Sequence, residues 1–141
     1  LLDFRLRGGI PMPGGFNLSW IYKNTPGVNL RADYAVARSG VRFVNPARTT
    51  ASFTRSSVTV PLIAPNSLYG ARFTQLDLRV SRFFRIGGAR VETSVDLYNA
   101  LNSNSVQSQI GAYSTSTTSR WRRPTSIIDA RLLQFSGGIT F

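Results

Sequence analysis

The chain has 141 residues and a net charge of +11, with no Cys, no His, nine Phe, five Tyr and two Trp. Without Cys or His there is no thiol nucleophile, no disulfide frame, no Ser-His-Asp arrangement and no zinc or haem site of ordinary ligation. The carboxylates Asp3, Asp33, Asp77, Glu92, Asp96 and Asp129 are scattered, no phosphate-binding glycine pattern occurs, and no apolar run nears the roughly 18 residues of a helical span, which argues against an enzyme, a cofactor protein and a helical membrane protein.

In chain order the alternation of side chains predicts strands over residues 1–7, 15–23, 28–37, 72–86, 89–99 and 126–141. Residues 8–14, with Pro11 and Pro13, read as a modest loop. Phe16, Leu18, Trp20 and Tyr22 alternate with polar neighbours up to Asn24-Thr25-Pro26-Gly27, after which Val28, Leu30, Ala32, Tyr34 and Val36 alternate again. Pro-Gly is a turn pair, so these two runs are expected to form a hairpin in which Tyr22 faces Leu30, Trp20 faces Ala32 and Leu18 faces Tyr34.

The clearest unit follows a long connection rich in Ser, Thr, Asn, Pro and Arg. Leu76, Leu78, Val80, Phe84 and Ile86 alternate with Gln75, Asp77, Arg79, Ser81 and Arg85 before Gly87-Gly88, and Val91, Thr93, Val95 and Leu97 then alternate with Arg90, Glu92, Ser94 and Asp96. Pairing Ile86 with Ala89 sets Phe84 against Val91, Val80 against Val95 and Leu78 against Leu97 on one face. The same register sets Arg79 against Asp96 on the other, so both faces agree. Arg82 is the exception on the apolar face, close enough to the turn to snorkel.

Residues 100–125 form a second long connection containing Tyr113, a Ser/Thr stretch and Arg120-Trp121-Arg122-Arg123. In the ending, Leu133, Phe135, Gly137, Ile139 and Phe141 share one parity and Gln134, Ser136, Gly138 and Thr140 the other. That is the apolar-out, polar-in pattern of a transmembrane β-strand closed by an aromatic residue. Tight turns alternating with long connections predict short turns on the periplasmic side and long loops outside. The expected fold is therefore all-β, an antiparallel meander of about six strands from the C-terminal part of a transmembrane β-barrel. Six strands are too few to close a barrel, and the chain opens without an initiator Met or an export signal; a longer polypeptide supplying the remaining wall is expected.

The arginines fall in three groups: Arg38, Arg42, Arg48, Arg55 and Arg72; Arg82, Arg85 and Arg90; and Arg120, Arg122 and Arg123. Such charge calls for a polyanionic partner or surface. The absence of a continuous basic run argues against nucleic acid, whereas lipopolysaccharide phosphates suit the first and third groups.

The segments Arg72-Phe-Thr-Gln-Leu-Asp-Leu-Arg79, Val91-Glu-Thr-Ser-Val-Asp-Leu-Tyr-Asn-Ala-Leu-Asn102 and Arg120-Trp-Arg-Arg-Pro-Thr-Ser-Ile-Ile-Asp-Ala-Arg131, with the final aromatic strand, resemble the carboxy terminus of TonB-dependent outer-membrane receptors. The resemblance is greatest to the group whose chains begin with a carboxypeptidase-regulatory-like domain; it covers roughly residues 15–141 and is weakest over 40–58. It implies a barrel of about 22 strands, a plug domain absent from these residues, coupling to the TonB complex through that plug, and energy-driven uptake of a nutrient across the bacterial outer membrane. It further implies that Phe135, Ile139 and Phe141 are read by the barrel-assembly machinery. Arg79 and Asp96 are then expected as a lumen ion pair rather than ligand contacts. Tyr113, Arg120, Trp121, Arg122 and Arg123 are expected as external-loop contacts, to ligand or, preferentially, to the membrane interface and lipopolysaccharide. The alternatives are a porin-type channel without coupling and a soluble Arg-rich β domain binding nucleic acid or anionic glycan, the latter requiring a compact two-sheet core.

Overall fold

The computed structural model describes residues 2–42, 44–45, 47 and 54–141, so Arg48 lies outside the described residues. The described chain is all-β: β1 (Phe4–Met12), β2 (Phe16–Thr25), β3 (Asp33–Ala37), β4 (Ser57–Pro61), β5 (Phe73–Ile86), β6 (Ala89–Tyr98), β7 (Val106–Gln109), β8 (Ala112–Tyr113), β9 (Pro124–Ile127) and β10 (Leu132–Thr140). The main sheet is antiparallel throughout, with the order β1-β2-β5-β6-β10. The chain divides into two units, one built on this sheet (Leu1–Gly27, Ala71–Gln107, Ile127–Phe141) and one from the long connections (Val28–Gly70, Ser108–Ser126).

The β5–β6 hairpin has the register that its two alternations demand. Ile86 pairs with Ala89, Phe84 with Val91, Val80 with Val95, Leu78 with Leu97 and Arg79 with Asp96. Gly87 takes φ 60°, the left-handed conformation that a two-residue hairpin turn requires and that costs glycine nothing. On the far side of β6, the terminal strand sets Phe135 against Val95, Ile139 against Val91 and Gln134 against Asp96.

The first hairpin lies elsewhere than the Pro26-Gly27 pair suggests. β2 pairs with β1 on one edge, from Met12 opposite Phe16 to Phe4 opposite Asn24, and with β5 on the other, where Leu18 faces Val80, Trp20 faces Leu78 and Tyr22 faces Leu76. The chain carries two Pro-Gly pairs, and the earlier one makes the turn. Pro13–Gly15 is a single 3₁₀ turn in which Gly14 and Gly15 take φ 79° and 78°, whereas Gly27 is not among the residues of positive φ. Residues 8–12, expected in a loop, therefore complete β1. Pairing with β5 gives β2 ten partners in continuous register; the run after Gly27 is extended only over the five residues of β3, and those join β4 and β8 in a separate three-stranded sheet. The main sheet thus has five strands. Its last strand begins at Leu132, since residues 124–127 form β9 beside β7.

These pairings sort every strand onto two faces. One carries Phe4, Leu6, Ile10 and Met12 of β1, Phe16, Leu18, Trp20 and Tyr22 of β2, Leu76, Leu78, Val80, Phe84 and Ile86 of β5, Val91, Val95 and Leu97 of β6, and Leu133, Phe135 and Ile139 of β10. The other carries mainly Arg, Asn, Ser, Gln, Asp and Glu, with Pro11, Ile21, Phe73, Phe83, Tyr98 and Leu132 as exceptions. The apolar face is largely open among the described residues: Leu6, Ile10, Leu133, Phe135 and Ile139 are exposed, and Ala32 and Ile128 are the only buried apolar residues among those described. Both tight turns lie at the end of the sheet where β10 finishes, and both long connections leave from the opposite end.

Candidate functional site

On the polar face of the main sheet, antiparallel pairing brings Arg79 and Asp96 directly opposite each other. Arg79 Nε lies 3.0 Å from Asp96 Oδ1, and Arg79 Nη2 donates to Ser94 Oγ at 3.1 Å. The Asp96 side chain is only 7% exposed while that of Arg79 is 51% exposed, so the carboxylate is the buried partner and the guanidinium its link to solvent. With so little water to replace it, losing the cation costs more than an exposed pair contributes while intact. A shallow groove beside Arg79 is lined by Glu92, Ser94, Ser136, Gly137 and Gly138.

At the end of β6 the chain turns through Asn99-Ala100-Leu101-Asn102, where both asparagines take left-handed φ, 47° and 50°. Asn tolerates that region because its short side chain can bond locally. Asn99 is 2% exposed. Its Nδ2 donates to the carbonyls of Ser103 at 2.9 Å and Asp129 at 2.8 Å, its Oδ1 accepts from the Ser103 amide at 2.9 Å, and its own amide donates to Asp77 Oδ1 at 2.9 Å. Ser105 continues the network, accepting from the Thr74 amide at 3.0 Å and lying 2.6 Å from Ser103 Oγ. Sequence reasoning registered this stretch as a resemblance motif and missed its role; two Asn three residues apart just after an alternating run were the available signal.

Arg72 differs from its expected place among solvent-facing loop arginines. It ties strand ends together, donating to Asn24 Oδ1, to the Asn24 carbonyl at 2.9 Å and to the Leu2 carbonyl at 2.8 Å.

Within the second unit, Tyr113 is the middle of an aromatic chain. Its ring centroid lies 6.2 Å from Tyr34 and 5.4 Å from Trp121, both in edge-to-face geometry that suits the ring quadrupoles. The Trp121 indole N–H donates to the Arg31 carbonyl at 2.7 Å, so Trp121 is tied into the unit. Arg120 to Arg123 form one turn, closed by the Arg123 amide donating to the Arg120 carbonyl at 3.0 Å. Arg122 occupies its third position at φ 63°, a place that normally falls to Gly or Asn. Its amide bond to the Ile110 carbonyl and the Ile110 amide bond to the Arg123 carbonyl, both 3.0 Å, hold it there, with the guanidinium 5.7 Å from the Trp121 ring. Arg120, Arg122 and Arg123 are exposed. The unit carries eight arginines and a single acid, Asp33, which Arg31 already engages at 2.8 Å. The result is an aromatic and strongly cationic surface able to take anionic or planar groups.

Phe135, Ile139 and Phe141 remain exposed at the end of the chain. No group of three or more potential metal ligands occurs among the described residues. Comparison of the chain with protein-family models, curated proteins and solved structures finds no match.

Proposed function

We propose that this chain forms part of the wall and external loops of a TonB-dependent receptor, in the bacterial outer membrane, for energy-coupled nutrient uptake. The observation that supports this most is the uncovered, predominantly apolar face of a five-stranded antiparallel sheet whose reverse is mainly polar. From Ile86 to Leu76 along β5 there are ten residue steps; at about 3.4 Å each and a tilt of about 45°, they rise about 24 Å, matching the apolar band of outer-membrane barrels at roughly 25 Å. A soluble two-sheet domain would cover that face. Among the described residues the outer edges of β1 and β10 carry no partner strand, and an open edge in hydrocarbon is costly, so closure calls for further strands. In this reading the polar face, with Arg79 and Asp96, lines the lumen beside a plug supplied by other residues, and the plug carries the contact to the TonB complex. The aromatic and cationic unit then faces outward among the phosphates of lipopolysaccharide, where it meets ligand. Phe135, Ile139 and Phe141 serve as the signal for the barrel-assembly machinery.

The test is topological. Single cysteines at Gly88 and Thr117 are introduced into the polypeptide carrying this chain, and intact cells are treated with a membrane-impermeant maleimide. Labelling at Thr117 but not at Gly88 until the outer membrane is opened is expected. Recovery of the protein in the soluble fraction without detergent, or equal labelling of both, would overturn the proposal.

A further inference from the structure

The apolar face has one charged residue in its strands, Arg82, and its surroundings differ from those of every other residue on that face. It belongs to a cross-strand row of Met12, Phe16, Arg82, Thr93 and Gly137. The guanidinium carbon lies 4.8 Å from the Phe16 ring centroid and 4.7 Å from that of Phe84. Both rings lie within cation–π distance of the guanidinium; no carboxylate or other hydrogen-bond acceptor meets it among the described residues. Beside it is a depression of about 280 Å³ lined by Phe16, Val80, Arg82, Thr93, Val95 and Phe135. The row ends at Gly137, where a side-chain carbon would have only the Glu92 carbonyl near it, at 3.8 Å. The space is therefore open, with a threonine hydroxyl at its edge.

A lone cation on an apolar face is costly in hydrocarbon unless an anion reaches it. Arg82 stands four residues from Ile86 at the turn end, about 14 Å along the strand and about 10 Å in depth at a 45° tilt. Phe84, whose ring it meets, stands two residues nearer that turn end, where headgroups lie. Planar guanidinium matches phosphate with two parallel hydrogen bonds. We infer that Arg82, steadied by Phe16 and Phe84, binds the phosphate of an anionic phospholipid of the leaflet at the tight-turn end, with the Thr93 hydroxyl as second donor and one acyl chain in the depression toward Phe135. The inference rests on the membrane reading above.

The polypeptide carrying this chain is assembled in phosphatidylcholine nanodiscs containing a minor share of phosphatidylglycerol, extracted in a zwitterionic detergent, and its retained lipid measured by mass spectrometry. Enrichment of phosphatidylglycerol over phosphatidylcholine is expected for the wild type. Arg82→Gln reduces that enrichment about tenfold, the equivalent of one good charge-assisted contact, and Arg82→Lys less. The double variant Arg85→Gln/Arg90→Gln, which removes two cations near the same turn from the other face, leaves it unchanged. A benzophenone amino acid at Phe135 reports insertion separately through adducts with acyl chains. Wild-type enrichment in Arg82→Gln with those adducts intact, or equal loss in the double variant, would overturn the lipid site alone. Absence of the adducts in the wild type would overturn the membrane reading, and the site with it.

Discussion

Replacing Phe135 with arginine separates a lipid-facing sheet from a water-facing one. Phe135 is 73% exposed and pairs with Val95, which pairs with Val80. Val80 is six residues from Ile86, which at 3.4 Å per residue and 45° tilt is about 14 Å of depth, close to the middle of a band about 24 Å tall. In water, a substitution at such an exposed position costs no more than about 0.5 kcal/mol. At the bilayer midplane it costs about 2–4 kcal/mol, an equilibrium change of about 30- to 900-fold. Gln134→Arg is the control, since it changes the adjacent residue on the polar face. Both are measured by reversible urea unfolding of the protein in phosphatidylcholine vesicles, following tryptophan emission. Phe135→Arg is expected to lose at least 2 kcal/mol more than Gln134→Arg. Equal losses, or a cost below about 0.5 kcal/mol for Phe135→Arg, would refute the orientation of the sheet.

Arg79→Gln strands the Asp96 carboxylate and is expected to cost about 2 kcal/mol, whereas Asp96→Asn costs less and the double variant less than the sum; a double-mutant cycle in urea checks this, and strict additivity would deny the coupling. Asn99→Ala removes three side-chain hydrogen bonds and places Ala at left-handed φ, for an expected loss of about 3 kcal/mol or more, with Asn99→Gly recovering roughly 1 kcal/mol of it because only the φ penalty is relieved. Gly14→Ala is expected to destabilise by about 1 kcal/mol and Gly27→Ala by much less; the opposite ranking in thermal unfolding would restore Pro26-Gly27 as the hairpin turn.

Side-chain alternation carried the β5–β6 hairpin completely, because two faces had to agree and only one register satisfies both. The same alternation left β2 without a unique partner. Its Leu18, Trp20 and Tyr22 match Leu76, Leu78 and Val80 as well as they match Leu30, Ala32 and Tyr34, and a nearby Pro-Gly pair tips a local reading toward the wrong one. Only the backbone shows that Gly14 and Gly15 adopt the turn conformation and Gly27 does not. The Arg79–Asp96 contact was legible for the same reason as the hairpin. The Asn99 clamp was not: its bonds to Ser103 are local but follow no periodicity, and Asp129 meets that residue only once the chain has returned toward β10. Trp121 was visible as a notable residue, but its bond to the Arg31 carbonyl joins positions 90 residues apart.

The central seam of the sheet has a kinetic consequence. The β1–β2 and β5–β6 pairs each close over two or three residues, so each can zip within microseconds of nucleating, whereas β2 meets β5 only after the ends of residues 26–72 come together. The two hairpins are therefore the early units and their joining the slow step. Loop-closure entropy grows only with the logarithm of length, about 0.6 kcal/mol for each doubling, or roughly a threefold slowing. That long connection is consequently free to lengthen, shorten or change composition at small expense to the rate of sheet formation, while an extra residue inserted within a strand of either hairpin turns the residues beyond it to the wrong face.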